Sequence, residues 1–171
     1  MKNFKNKKLI TILVAVALVV AITCAIVAVV VGQTKKDGTI KATLSIDCAT
    51  VLKNYDKLPK ELQNEKYVPK DGIILKETTF YFSEGETAYD VILRATRKKK
   101  IHIEFSESSN FKYIKGLNQL YEKNCGDWSG WMFKINGEFA SVACDKIILK
   151  ENDKIEILYS CDGGQDLGMV W

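Results

Sequence analysis

Fifteen residues from Cys125 to Phe139 read Cys-Gly-Asp-Trp-Ser-Gly-Trp-Met-Phe-Lys-Ile-Asn-Gly-Glu-Phe. Trp128, Trp131, Met132, Phe133 and Phe139 all fall inside this stretch. Such a set suits non-covalent capture of a flat, largely apolar ligand, because aromatic faces and a thioether offer large, polarisable contact area. On a strand successive side chains alternate between faces, so Trp131 and Phe133 share one face and Met132 takes the other. Trp131 and Phe133 are expected to serve a core before they serve a ligand. Trp128 precedes the strand in a glycine-containing loop and is the stronger contact candidate. Tyr113, Asn118 and Tyr121 are candidates to present polar tips to the same ligand, with plain sheet-edge placement as the competing expectation.

Covalent chemistry has little support in the residues. His102 is the one histidine, with no serine or cysteine motif beside it. There is no phosphate-binding loop and no dinucleotide fingerprint. Asp162, Gln165 and Asp166 around Gly163-Gly164 offer oxygens of the kind calcium takes, but their spacing is not that of an EF-hand loop. A capped turn is the expectation there. No enzyme activity, catalytic residue or metal site is expected.

Cysteines 48, 125, 144 and 161 follow a fifth, Cys24, that lies in an apolar run. An even number in an exported domain argues for two disulfides, with three connectivities open. None of the four has the C-x-x-C spacing of a zinc site.

The elements that must position these residues are legible as periodicity. Asn136-Gly137 is a strong hairpin signal, since both residues accept the positive φ of a type I′ turn. Ile40–Asp47 alternates apolar and polar residues as a half-buried strand does. Ile73–Phe82 is a second strand, kinked near Lys76-Glu77. Thr87 caps a helix in which Asp90 faces the positive end and Ala88, Val91, Ile92 and Ala95 form one apolar face. Short strands are expected at Ile101–Phe105 and Tyr113–Leu117, and a last strand at Ile155–Tyr159. Ala49–Lys70, with Pro59 and Pro69, is mostly polar and holds at most a short helix. The run of two strands, a helix and further strands is an α+β pattern with one helix packed on a sheet. If the first and last strands are parallel neighbours, as in a β-grasp-like sheet, Cys48 and Cys161 end at one edge, which gives the pairs Cys48–Cys161 and Cys125–Cys144.

The N-terminus reads differently. Residues 1–8 carry four lysines and no acid, and Leu9–Val31 is 23 residues without a charge. About 20 apolar residues span a bilayer core, and a cleaved signal peptide has a shorter apolar region. The expectation is a cytoplasmic basic flank (1–8), a single-pass transmembrane signal anchor (9–31), a tether (32–39) and an extracellular domain (40–171), with cleavage and secretion as the alternative. The chain's formal charge of +4 then belongs to the flank. Without its four lysines the remainder holds 21 basic and 21 acidic residues, which leaves no basic surface for nucleic acid.

Tyr113-Ile-Lys-Gly-Leu-Asn-Gln-Leu-Tyr-Glu-Lys-Asn-Cys-Gly-Asp-Trp-Ser-Gly-Trp-Met-Phe-Lys-Ile-Asn-Gly137 resembles the core signature of the transcobalamin-like C-terminal domains of Gram-positive surface proteins. So do Leu149–Glu156 and Tyr159–Gly168. The resemblance covers about Ile40 to Gly168. It implies a β-grasp-like, ligand-binding fold and a role in holding a corrinoid such as cobalamin, or a related small cofactor, for uptake. The animal carriers in this relationship clasp cobalamin between a helical domain and the small one. The helical part is absent here, so an uptake transporter, another surface protein or a second copy would supply the other face. Two departures stand out: Glu151-Asn152-Asp153 where the family usually has Asp-Gly-Asp, and the bulk of Trp128 at a position usually smaller. The alternative function is a protein- or cell-wall-interaction domain with no small-molecule ligand.

Overall fold

Ile40–Asp47 forms strand β1, with Ala42, Leu44 and Ile46 buried and the residues between them half-exposed. This is the alternation its sequence carries. The computed structural model describes residues 38–106 and 111–170. The basic flank, the apolar span Leu9–Val31 and the tether up to residue 37 lie outside the described residues. Among the described residues no helix is long and apolar enough to cross a membrane.

After β1 come a one-turn helix α1 (Ala49–Leu52) and two 3₁₀ turns, Tyr55–Lys57 and Lys60–Leu62. Strand β2 (Ile73–Phe82) then pairs antiparallel with β1. Leu44 faces Thr78 while Ile46 faces Leu75, so β2 spends one extra residue at Lys76-Glu77. That is a β-bulge at the expected kink.

Helix α2 (Ala88–Lys99) starts as its sequence requires. The Thr87 hydroxyl accepts from the Asp90 N–H at 3.3 Å, and the Asp90 carboxylate accepts from the Thr87 N–H at 2.9 Å, closing a capping box. Ala88, Val91, Ile92 and Ala95 are buried against the sheet. The short strands β3 (Ile103–Phe105), β4 (Ile114–Leu117) and β5 (Leu120–Tyr121) follow and make a small sheet of their own. Strands β6 (Gly130–Ile135) and β7 (Glu138–Phe139) form the expected hairpin, with Asn136 and Gly137 both at positive φ. Strand β8 (Lys154–Ser160) closes the main sheet.

The main sheet runs β2-β1-β8-β6-β7. First and last strands are parallel neighbours at its centre, with Leu44 opposite Ile155. The fold is α+β, mostly sheet, with one packed helix. Two apolar clusters hold it. The larger joins β1, β2, β8 and α2 through Leu44, Phe82, Ile92 and Ile157. The smaller lies under the 49–70 segment and joins Val51, Leu58, Val68 and Leu120 to Tyr159.

The cysteines depart from expectation. All four, Cys48, Cys125, Cys144 and Cys161, are buried free thiols. The pair Cys125–Cys144 is excluded by packing, since Cys125 belongs to the smaller cluster and Cys144 to the larger. Cys48 and Cys161 do share the smaller cluster, as parallel β1 and β8 require, but the thiol that interacts with Cys161 is that of Cys125. The even count alone misled, because cysteine also packs as a small apolar residue.

Candidate ligand groove

Strand β6 is only partly covered on its outer side. β7 pairs with Lys134 and Ile135, and the Ala140 N–H adds a bond to the Phe133 carbonyl at 3.1 Å. At the other end the Ser129 carbonyl accepts from Lys123 at 2.9 Å. In an antiparallel ladder every second residue directs its N–H and C=O to the same side. Trp131 lies between Ser129 and Phe133 in that series, and among the described residues no strand pairs with its outward N–H and C=O.

A groove of about 550 Å³ opens along this edge. Trp131, Met132 and Phe133 line it from β6, and Phe111, Tyr113 and Ile114 from the segment that enters β4. Phe139, Val142 and Met169 add to the apolar lining, and Lys112 and Lys146 bring cations to it. The Phe111 and Tyr113 rings lie 6.2 Å apart, centroid to centroid, and both are close to half exposed. This is the composition of a small-molecule site: an apolar concavity with a few polar groups.

The groove is tied down from behind. The Lys112 N–H donates to Asp145 Oδ1 at 2.8 Å, and the Cys144 thiol donates to the Lys112 carbonyl at 3.2 Å. Lys146 pairs with Asp145 at 2.9 Å. The Lys146 ammonium, then the Lys112 amide, hold the Asp145 carboxyl below the usual carboxylate range. Asp145 is thus committed to fixing the wall.

Trp131 serves both core and groove. Its indole N–H donates to the Leu120 carbonyl at 2.7 Å, and its ring stands edge-on to Tyr159 at 5.1 Å. Phe133 likewise packs on the larger cluster while lining the groove. The structure therefore joins the two roles that strand alternation set against each other. Met132, on the opposite face, reaches the groove because the groove lies along a strand edge, where both faces contribute.

Of the remaining candidates, Tyr113 lines the groove and three residues do not. Trp128 is 80% exposed and lies in a separate hollow with Asp162, Gly163 and Gln165. The Asn118 amide donates to the Tyr67 carbonyl at 3.0 Å, holding the 49–70 segment to the β4–β5 turn. The Tyr121 hydroxyl donates to Glu104 at 3.0 Å, and its ring covers Gly116, where an added Cβ would meet it at 2.4 Å. Phe111, Val142 and Met169 were missed because no periodic element carries them. In the glycine-rich tail, Asp166 accepts from the Ser160 hydroxyl at 2.6 Å and from the Cys161 N–H at 2.8 Å, the capped turn expected there.

Residues 85–160 match a family described as "Domain of unknown function (DUF4430)". In solved structures the fold is similar to haptocorrin in complex with cobinamide, with a TM-score of 0.51 at 15% identity. Together these findings support a transcobalamin-like domain. The haptocorrin likeness covers 75% of this chain and 26% of haptocorrin, so the chain spans about a quarter of that protein's length. A proposed metal-binding protein from Ruminococcus gnavus aligns over 71% of this chain and 96% of its own, at 11% identity and a TM-score of 0.43, too distant to carry an argument. No curated protein matches the chain in sequence.

Proposed function

We propose that the chain is a ligand-binding module that holds a corrinoid or a related small cofactor in the β6-edge groove. One observation carries this reading: an apolar groove of about 550 Å³, walled by Tyr113, Trp131 and Met132 and held rigid from behind by Asp145. Apolar contact from the aromatic and thioether walls supplies the attraction, and the outward N–H and C=O of Trp131 orient the ligand. The likeness to haptocorrin supports the ligand class. The parallel central strands fit a β-grasp-like sheet.

In this proposal the N-terminal segment anchors the domain to a cell membrane as a single pass, with the domain outside. The open groove binds one side of the ligand, and a transporter, another surface protein or a second copy covers the other. Uptake of the ligand is then a hand-over between two faces. A calorimetric titration of the full chain with cobinamide, cobalamin and haem tests the reading. Saturable binding that Met132→Arg abolishes supports it; no heat with any of the three rejects it.

A second reading, docking of an extended protein segment, draws on the same open main chain at Trp131. Strand addition at a sheet edge uses such N–H and C=O groups. A protein segment competing with cobinamide for the groove would place both readings at one site.

A further inference from the structure

Trp128 combines high exposure with a fixed backbone. Its carbonyl accepts from the Gly163 N–H at 3.0 Å, and the next residue, Ser129, donates to the Gly126 carbonyl at 2.9 Å. The loop it leans on is equally fixed, because the Ser160 hydroxyl accepts from the N–H groups of Asp162 and Gly164 at 3.0 and 2.6 Å. A tryptophan that is 80% exposed on two pinned loops offers its ring to solvent at little cost in ordering.

Beside the ring lies a hollow of about 440 Å³ lined by Trp128, Asp162, Gly163 and Gln165. Asp166 is spent on capping the loop, whereas the Asp162 carboxylate and the Gln165 amide make no hydrogen bond among the described residues. From the described residues the hollow thus presents one aromatic face, one acceptor-only group and one group that both donates and accepts. The carboxylate disfavours an anion. A single carboxylate is a poor cage for a hard cation, which takes six or more oxygens. Among the described residues Trp128 is the one large apolar group in the lining, which is too little for a hydrophobic protein anchor.

We infer that this hollow is a glycan subsite that takes a pyranose ring. A pyranose with equatorial hydroxyls has a face of axial C–H bonds, weakly positive, that complements the negative face of an indole. Its rim hydroxyls are donors and acceptors, which Asp162 and Gln165 match. The open shape admits an internal sugar of a longer chain. Among the described residues the site shares no lining residue with the groove, so it stands whether or not the groove binds a corrinoid.

The test is calorimetric titration of the full chain with two β-1,4-linked tetrasaccharides, cellotetraose and chitotetraose. Saturable binding of at least one is expected. Trp128→Ala weakens it by about tenfold or more, and Asp162→Asn and Gln165→Ala weaken it less. Near-UV circular dichroism confirms that each variant keeps its fold. No binding of either sugar at millimolar concentration overturns the inference, and so does binding that Trp128→Ala does not change.

Discussion

Met132 and Met169 meet over Gly164: a Cβ added to that glycine would stand 2.9 Å from the Met132 sulfur and 3.0 Å from the Met169 sulfur. One methionine comes from β6 and the other from the C-terminal tail, and both line the groove. Gly164 also holds φ at +94°. Gly164→Ala is expected to cost about 1–2 kcal/mol through the left-handed backbone. The flexible thioethers yield to the new methyl, so the groove changes shape. A urea titration should show the lower midpoint, and cobinamide affinity should fall with it. An unchanged midpoint would contradict the backbone argument.

Tyr159 is fully buried, and its hydroxyl donates to the Tyr121 carbonyl at 2.7 Å with Ser129 Oγ 3.0 Å away. Tyr159→Phe keeps the ring against Trp131 and leaves these two groups short of a partner. The expected loss is about 1–3 kcal/mol, read as a shift in the chemical denaturation midpoint. A neutral result would mean that water replaces the hydroxyl.

Thr87→Ala removes half of the capping box at α2 and should cost about 1 kcal/mol. Thr87→Ser should restore most of it, since the serine oxygen reaches the same N–H. If both variants melt alike, the hydroxyl is not the stabilising group.

The four buried thiols give the domain an alkaline limit. Burial pushes Cys48 and Cys144 from 9.0 up to about 12, and it raises Cys125 and Cys161 as well. Above pH 9 the unfolded chain releases thiol protons that the folded chain retains, so folding is progressively disfavoured. The contribution from Cys48 and Cys144 is intact below pH 9 and is lost as pH rises towards about 12. Denaturation midpoints measured from pH 8 to 10.5 should fall, and less so in Cys144→Ala relative to its own value at pH 8. Alkylation at pH 8 should be slow in the folded protein and fast in urea. A mass showing two disulfides would contradict the free-thiol structure.

The main sheet was legible because alternation is strict in Ile40–Asp47 and Ile73–Phe82, and because Asn136-Gly137 names its own turn. The α2 boundary was legible in Thr87 and Asp90. The β4–β5 hairpin was not. Its turn places Asn118 and Gln119 at positive φ without a glycine, and Gly116 is tolerated because the Tyr121 ring covers it. Half of the groove was visible as the aromatic run of β6. The other half comes from Phe111 and Met169, which only tertiary structure brings to that edge. Trp128 and Trp131 fall in one aromatic stretch of the sequence, yet they line different hollows.

The chain has three methionines, and the two inside the domain, Met132 and Met169, both line the groove. Their ε-methyl carbons therefore report on the central claim. The chain should be labelled with ¹³C-methyl methionine and titrated with cobinamide while the methyl resonances are followed by NMR. The account predicts saturable shifts of the Met132 and Met169 methyls while the Met1 methyl stays in place. Methyl resonances that do not move up to about 1 mM cobinamide, an affinity floor near −4 kcal/mol, would contradict capture in this groove.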